Sequence, residues 1–436
     1  MEQPVNPTSW TASRKLLFRF FFAFFLLYIV LNPNAGVPKV DLLFDLYIQP
    51  FHHLIPWIGQ HILHLSKPIT VFTNGSGDTT YDYVTLLFLF VVAILASLGW
   101  SFLDRKRASY NVLLYWLTTI VRYYLAITML SYGYSKVFKA QFPAPDVFRM
   151  MEPYGESSPM GLAWTFMGYS QGYNYFTGFA EVLAGLLLFF RRTTTIGALV
   201  ALVVSANIMA MNYCFDIPVK LLSTMMVVMS LFLLSDNIRQ LSGLFFGHRT
   251  VRLVVPRRPL IRKRALSITL IAAKFLLIAY VVAGYAFSAF DRMQRYGDDA
   301  PHTPLYGIYN TKVFLVGKDT LPGLPGDTTR WKQLVIGGSS NFSYAVLKMM
   351  NDSLKGFESK TDTTQRLLTI SDYDDSTKRW LLHYRSQGKD SLILWGSREW
   401  GRRSDSILIA LTRYPADYFP LARRKFSWIN EYPYNR

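Results

Sequence analysis

The sequence predicts a polytopic α-helical membrane bundle of about seven transmembrane helices, followed by a soluble all-β domain. Three observations carry this. The 436 residues are 51% hydrophobic and only 17% charged, well under the roughly 25% charged content of ordinary soluble domains. Apolar blocks of spanning length recur up to about Ala289 and then stop. Beyond Phe290 the pattern changes to short β-branched and aromatic runs separated by turn residues. The chain therefore divides into a helical region, 1–289, and a β-rich region, 290–436.

A helix needs about 20 apolar residues to cross the hydrocarbon core. Seven blocks approach this: Leu16–Leu31, Val84–Phe102, Val112–Tyr132, Tyr175–Phe190, Ile196–Met211, Ile217–Leu234 and Ala265–Phe287. The first lacks a small-residue cleavage site after it and reads as a retained helix, not a signal peptide. Basic residues set the orientation. Arg14 and Lys15 precede the first block and Arg19 lies in its first turn, Arg105, Lys106 and Arg107 follow the second, and Arg191 and Arg192 follow the fourth. The connection 235–264 adds eight Lys and Arg. All fall on one side if seven helices cross and the N-terminus is cytoplasmic. The expected location is a bacterial inner (plasma) membrane with the C-terminal domain extracytoplasmic.

The formal net charge is +18. Residues 290–436 hold 22 Lys+Arg against 16 Asp+Glu, so 12 of those charges fall on the membrane part. There they cluster between apolar blocks, where topology selects them, so the expected partner is the lipid bilayer and not nucleic acid. Cys214 is the sole cysteine, which excludes an intramolecular disulfide, a thiol pair and a multi-cysteine metal site. The long loops Pro33–Asp82 and Ala140–Tyr173 are too aromatic and too long to be plain connectors. They are expected to cap the bundle, with Phe51–Leu65 lying along the membrane surface.

In the β region, Leu305–Val316, Trp331–Ile336, Tyr344–Met350, Gln365–Ile370, Arg379–Tyr384, Ser391–Trp395 and Ser406–Thr412 read as strands. Consecutive hairpins of seven or eight strands imply an up-and-down meander, closed as a small barrel or sandwich. Leu305-Tyr306-Gly307-Ile308-Tyr309 followed by Val313-Phe314 is similar to a lipocalin opening. Side chains are expected to fill its interior.

Charged residues inside spans are costly and mark candidate sites. The candidates, within spans or at their ends, are Arg122, Lys136, Glu181, Asp216 and Lys220. Lys136, Glu181, Asp216 and Lys220 share an outer depth and are expected to converge at the external mouth of the bundle, with Asn207, Asn212, Tyr132 and Tyr134 extending the patch. The alternative is structural: Glu181 pairing with a lysine, and Asp216 capping a helix. His52, His53, His61 and His64 form a second cluster. An i, i+3 pair such as His61 and His64 shares a helix face, and His53 is near it, so His53, His61 and His64 are candidate metal ligands. No nucleophile elbow, triad or P-loop lysine is present. The expectation leans away from an enzyme.

The stretch Val121–Leu234 resembles the core of the DoxX-like membrane proteins, here roughly residues 110–235. The resemblance rests on the helix Arg122–Leu130 running into Tyr132-Gly133-Tyr134-Ser135-Lys136, then on Phe176-Thr177-Gly178-Phe179-Ala180-Glu181 and Val182-Leu183-Ala184-Gly185-Leu186-Leu187-Leu188. It implies a four-helix core with Arg122, Lys136 and Glu181 as site-forming residues, and, from members linked to sulfur oxidation, quinone as the expected small molecule. A more distant likeness is to the multi-helix family that includes the vitamin K-dependent carboxylases. The function expected is an accessory or lipid/quinone-binding membrane component with a partner-binding outer domain. A quinone-linked oxidoreductase subunit is the alternative; a transporter would need broken or inverted-repeat helices, which are not seen.

Overall fold

The computed structural model describes residues 9–32, 41–71, 75–247, 250–255, 263–388, 390–401, 403–424 and 426–433. The chain forms two compact units, Met1–Phe138 with Gly172–Ala289, and Lys139–Gln171 with Phe290–Arg436.

The first unit is helical. It contains α1 (Ala12–Leu31), α2 (Asp41–His61), α3 (Thr80–Leu103) and α4 (Asn111–Val137). After α5 (Val147–Met151) and α6 (Pro159–Tyr169), which belong to the second unit, follow α7 (Gln171–Leu188), α8 (Thr194–Cys214), α9 (Lys220–Leu234), α10 (Ile238–Phe245) and α11 (Arg264–Tyr296). Helix starts follow local chemistry. At α3, the Thr79 hydroxyl accepts from the Asp82 amide while the Asp82 carboxylate accepts from the Thr79 amide at 2.8 Å, a reciprocal capping box. Among the described residues, five helices are long and apolar enough to cross a membrane: Thr80–Leu103, Asn111–Val137, Thr194–Cys214, Lys220–Phe245 and Arg264–Tyr296. The other two expected blocks are also helices, but by composition they fall short. α1 opens with Arg14, Lys15 and Arg19, and the first half of α7 is polar. Both still feed the core, through Phe25 and Tyr28 of α1 and Val182, Ala184 and Leu188 of α7.

The second unit is a closed antiparallel barrel of eight strands, the meander expected from sequence. β1 (Gly307–Val316) carries a two-residue addition, β2 (Asp319–Thr320). β3 (Trp331–Ser339), β4 (Phe342–Met349), β5 (Leu354–Asp362), β6 (Leu367–Ser371), β7 (Lys378–Gln387), β8 (Ser391–Trp400) and β9 (Arg403–Tyr414) then pair in sequence. β1 pairs with both β3 and β9, the latter from Ile308↔Tyr414 to Val316↔Ile407, which removes every free edge among these eight strands. Alternation sends Leu334, Ile336, Ala345, Leu347, Leu368, Ile370, Leu382, Leu394 and Ile409 into the interior, with Trp331, Trp380, Phe314 and Phe357 in edge-on aromatic contacts. The tight β3–β4 turn needs Gly338, whose φ is +95° and where a Cβ would lie 2.1 Å from the Phe342 carbonyl oxygen.

The Lys139–Gln171 segment belongs to the same compact unit as this barrel. Val147 of α5 is buried against Ile308, Val335 and Val346, the outward-facing set of β1, β3 and β4. The Tyr344 hydroxyl donates to the Asp146 carboxylate. Asp298 accepts from Lys139 Nζ at 2.5 Å and from the Ala144 amide at 2.7 Å.

Candidate functional site

Helices α4 and α7 meet through glycine. A Cβ on Gly133 would lie 2.9 Å from the Gly178 carbonyl oxygen, one on Gly178 would lie 2.8 Å from that of Gly133, and one on Gly185 would lie 2.9 Å from that of Ala126. Small residues allow the two backbones to approach this closely, the device of packed membrane helices. Gly178, Glu181 and Gly185 are offset by three and seven, so they share the face of α7 turned to α4.

That close approach brings Lys136, in the last turn of α4, onto Glu181. Nζ and Oε1 are 2.6 Å apart, with the side chains only 6% and 1% exposed. The second carboxylate oxygen of Glu181 is buried without a hydrogen-bond partner. Lys136 Nζ also lies 5.8 Å from the centre of the Tyr132 ring. Tyr132 in turn lines a cavity of about 350 Å³ between the ends of α1, α3 and α9. Its wall is mixed: Tyr28, Asn32, Ser76 and Asp82 supply polar groups, and Leu31, Leu86, Leu222 and Met225 supply apolar surface.

Asp216 and Lys220 form an i, i+4 ion pair at 2.9 Å, but Asp216 is 85% exposed and neither lines the cavity with Tyr132. The residue that organises this corner is Asp78. Its carboxylate accepts from the Lys220 amide at 2.6 Å and the Leu221 amide at 2.9 Å, capping α9. Asp78 thus serves α9, while the neighbouring Thr79 and Asp82 cap α3. Asn212 donates to the Val219 carbonyl and the Ser223 hydroxyl, each at 3.1 Å, so it too ties α8 to α9.

Arg122 stands apart, donating from Nη1 to the Thr194 hydroxyl at 3.0 Å at the start of α8. Arg19, read from sequence only as a topological charge, is buried. It donates to the Tyr110 hydroxyl, to Ser101 Oγ at 2.7 Å and to the Asp104 carbonyl at 2.9 Å. Only the far-apart partners, 91 and 82 residues away, could have revealed this role.

The histidines do not assemble. α2 ends at His61, whose ring stacks on Trp57 at 5.2 Å, while His64 lies beyond the helix with φ +51°, so the two do not share a helical face. Among the described residues, no three His, Cys, Asp or Glu side chains are grouped to hold a metal ion. His53 keeps its place within α2.

Comparison with known proteins singles out the same helices. The sequence model of one family, DoxX, matches residues 117–213. "Uncharacterized protein YwoB" of Bacillus subtilis (strain 168) is 41% identical over 124 residues, covering 28% of this chain and 79% of the relative. No solved structure matches the chain. The matched stretch contains Arg122 and the whole glycine crossing with its Lys136–Glu181 bond, while all the barrel strands lie outside it; the chain belongs to the DoxX family of membrane proteins.

Proposed function

We propose that this chain is an accessory membrane component whose helical unit binds a lipid-like or quinone-like head group beside Tyr132, and whose barrel unit lies outside the cytoplasm and docks a protein partner. The observation that carries the reading is the cavity of about 350 Å³, which shares Tyr132 with the buried Lys136–Glu181 pair. Small-molecule sites are commonly about 300–1,000 Å³, mostly apolar with a few convergent polar groups. The lining fits a quinone head group: Tyr28, Tyr132 and Asn32 offer donors for carbonyl oxygens, and Leu86, Leu222 and Met225 offer flat apolar contact. A quinone bound there would supply two-electron redox capacity. A quinone-linked oxidoreductase subunit is the second reading, favoured by the unpartnered oxygen of Glu181, a buried acceptor available for a proton.

The orientation has two supports. The basic clusters at residues 14–19, 105–107, 191–192 and 235–264 fall on one side only if α1 and α7 cross together with the five longer helices. Residues 139–171, between α4 and α7, also share one compact unit with residues 290–436, after α11. Segments of one soluble unit lie on one side of a bilayer, so an even number of crossings separates them; α7, α8, α9 and α11 supply it.

Mass spectrometry of the detergent-purified full chain tests the ligand. A stoichiometric quinone or lipid, lost on Leu222→Trp, is the expected result; no bound species and no uptake of added short-chain quinone would refute it. Loss of the ligand on Glu181→Gln would favour the oxidoreductase. Co-purification of a partner that depends on residues 290–436 but not on Glu181 would favour the accessory role. A reporter fused after Arg436 should be active only outside the cytoplasm, and cytoplasmic activity would overturn the orientation.

A further inference from the structure

We propose that Arg122, Arg191 and Lys274 form a binding site for the phosphate of a membrane phospholipid. Arg122 comes from within α4, Arg191 from the turn between α7 and α8, and Lys274 from α11; Arg122 Nη1 reaches Thr194, three residues after Arg191, and Lys274 Nζ lies 4.9 Å from the ring centre of Phe190, the residue before Arg191. Arg122 is 3% exposed, and its Nε is buried without a hydrogen-bond partner. Among the described residues no carboxylate lies within ion-pairing distance of Arg122 or Lys274. A guanidinium removed from water without an opposite charge is strongly unfavourable, so Arg122 calls for an anion.

The remaining geometry says what kind of anion. Arg122 points at Thr194, the first residue of α8, with Nη1 3.0 Å from its hydroxyl. Thr193, at the cap position, does not close that end. It makes no side-chain cap bond, and its hydroxyl donates instead to the Leu187 carbonyl at 2.6 Å. The positive end of α8 and the guanidinium thus face the same point, an arrangement suited to phosphate oxygens. Basic pockets between membrane helices suit anionic head groups. A lipid is favoured over free phosphate by the surroundings of Lys274. Its ammonium lies 4.9 Å from the Phe190 ring centre, and Phe190, Phe275 and Leu276 present an exposed apolar surface on which acyl chains can lie.

The test uses the purified full chain in detergent, with thermal unfolding and native mass spectrometry in dioctanoyl phosphatidylglycerol, dioctanoyl phosphatidylcholine or inorganic phosphate at equal concentration. Phosphatidylglycerol should raise Tm and stay bound, with phosphatidylcholine weaker and inorganic phosphate without effect. The double variant Arg191→Gln/Lys274→Gln should retain about tenfold less phosphatidylglycerol, the scale of a lost charge-assisted contact. Arg192→Gln/Arg239→Gln, removing equal charge from the loop after α7 and from α10, should bind as the parent does. Lys274→Arg should bind normally, which separates loss of a phosphate contact from loss of folding. An equal Tm rise from inorganic phosphate would overturn the lipid assignment. Equal retention by the Arg191/Lys274 variant, or no preference for phosphatidylglycerol, would overturn the site.

Discussion

Replacing the members of the Lys136–Glu181 pair singly and together measures whether the two charges exist for each other. At 2.6 Å their attraction is about 6 kcal/mol for an effective dielectric of about 20. Because both side chains are almost fully buried, desolvation offsets much of that gain. The Glu181→Gln variant leaves the ammonium without its carboxylate, and Lys136→Met leaves the carboxylate without its ammonium. Each should cost about 3–5 kcal/mol, the range for breaking one side of a buried pair. At about 2–4 °C per kcal/mol for a large domain, this is an apparent Tm lowered by about 6–20 °C. The double variant Lys136→Met/Glu181→Leu removes both charges and should recover most of the loss, because an apolar pair of similar volume is often as stable as the ion pair. The assay is thermal unfolding of the purified chain in one detergent, followed by tryptophan fluorescence. Single variants indistinguishable from the parent, or a double variant that falls by the sum of the singles, would refute the compensation.

Three further outcomes follow from the same contacts. Gly178→Ala drives a Cβ to 2.8 Å from the Gly133 carbonyl oxygen and should cost about 1–3 kcal/mol, whereas Gly99→Ala, with no atom within 4 Å, should be neutral or stabilising by up to about 1 kcal/mol; equal Tm values would contradict this. Asp78→Ala removes the cap on α9 and should cost about 0.5–2 kcal/mol, with faster hydrogen exchange at the Lys220 and Leu221 amides. Burial, and then the adjacent Asp146 carboxylate, hold the Tyr344 phenol well above its ordinary pKa. Its contribution is therefore complete below about pH 10 and is lost as pH rises, because the unfolded chain ionises first. Tyr344→Phe should flatten the fall in stability between about pH 9 and 11, and parallel pH profiles would count against the assignment.

How far the sequence revealed this depends on whether the cause of each feature is local. Long apolar runs gave the positions of α3, α4, α8, α9 and α11, and period-two runs gave seven of the eight barrel strands. β5 escaped because its inward positions after Phe357 are Ser359 and Thr361, while Lys355, Gly356, Glu358 and Lys360 break any apolar alternation. The Lys136–Glu181 bond was legible as two costly charges at similar depth, whereas the glycine crossing that brings them together shows only in the fold. The place of α5 was not, because the Asp146–Tyr344 contact joins residues 198 apart, and nothing near Val147 states which apolar surface will cover it. The same distance problem split the expected cluster of charges. Depth along a helix axis is written in sequence, but rotation about the bundle is not, so Asp216 and Lys220 came out separate from Glu181.

Among the described residues, three cations are buried in the helical unit, Arg19, Lys136 and Arg122, and the chain answers them differently. Arg19 is answered by oxygens: the Tyr110 hydroxyl, Ser101 and the Asp104 carbonyl take its donors, and Tyr110 passes the charge on by donating to the Asp104 carboxylate at 3.0 Å. Lys136 is answered by a full opposite charge on the neighbouring helix, held by a backbone approach that only glycine permits. Arg122 receives one threonine hydroxyl and the face of Tyr123 at 5.7 Å, with two further cations nearby. A guanidinium has five N–H donors, and one neutral acceptor leaves most of its desolvation uncompensated. If packing alone had set this position, a leucine would serve α4 at lower cost. The arginine is intelligible once a ligand's negative charge completes the site, and that is the physical ground for separating it from the two cations whose partners are already in the chain.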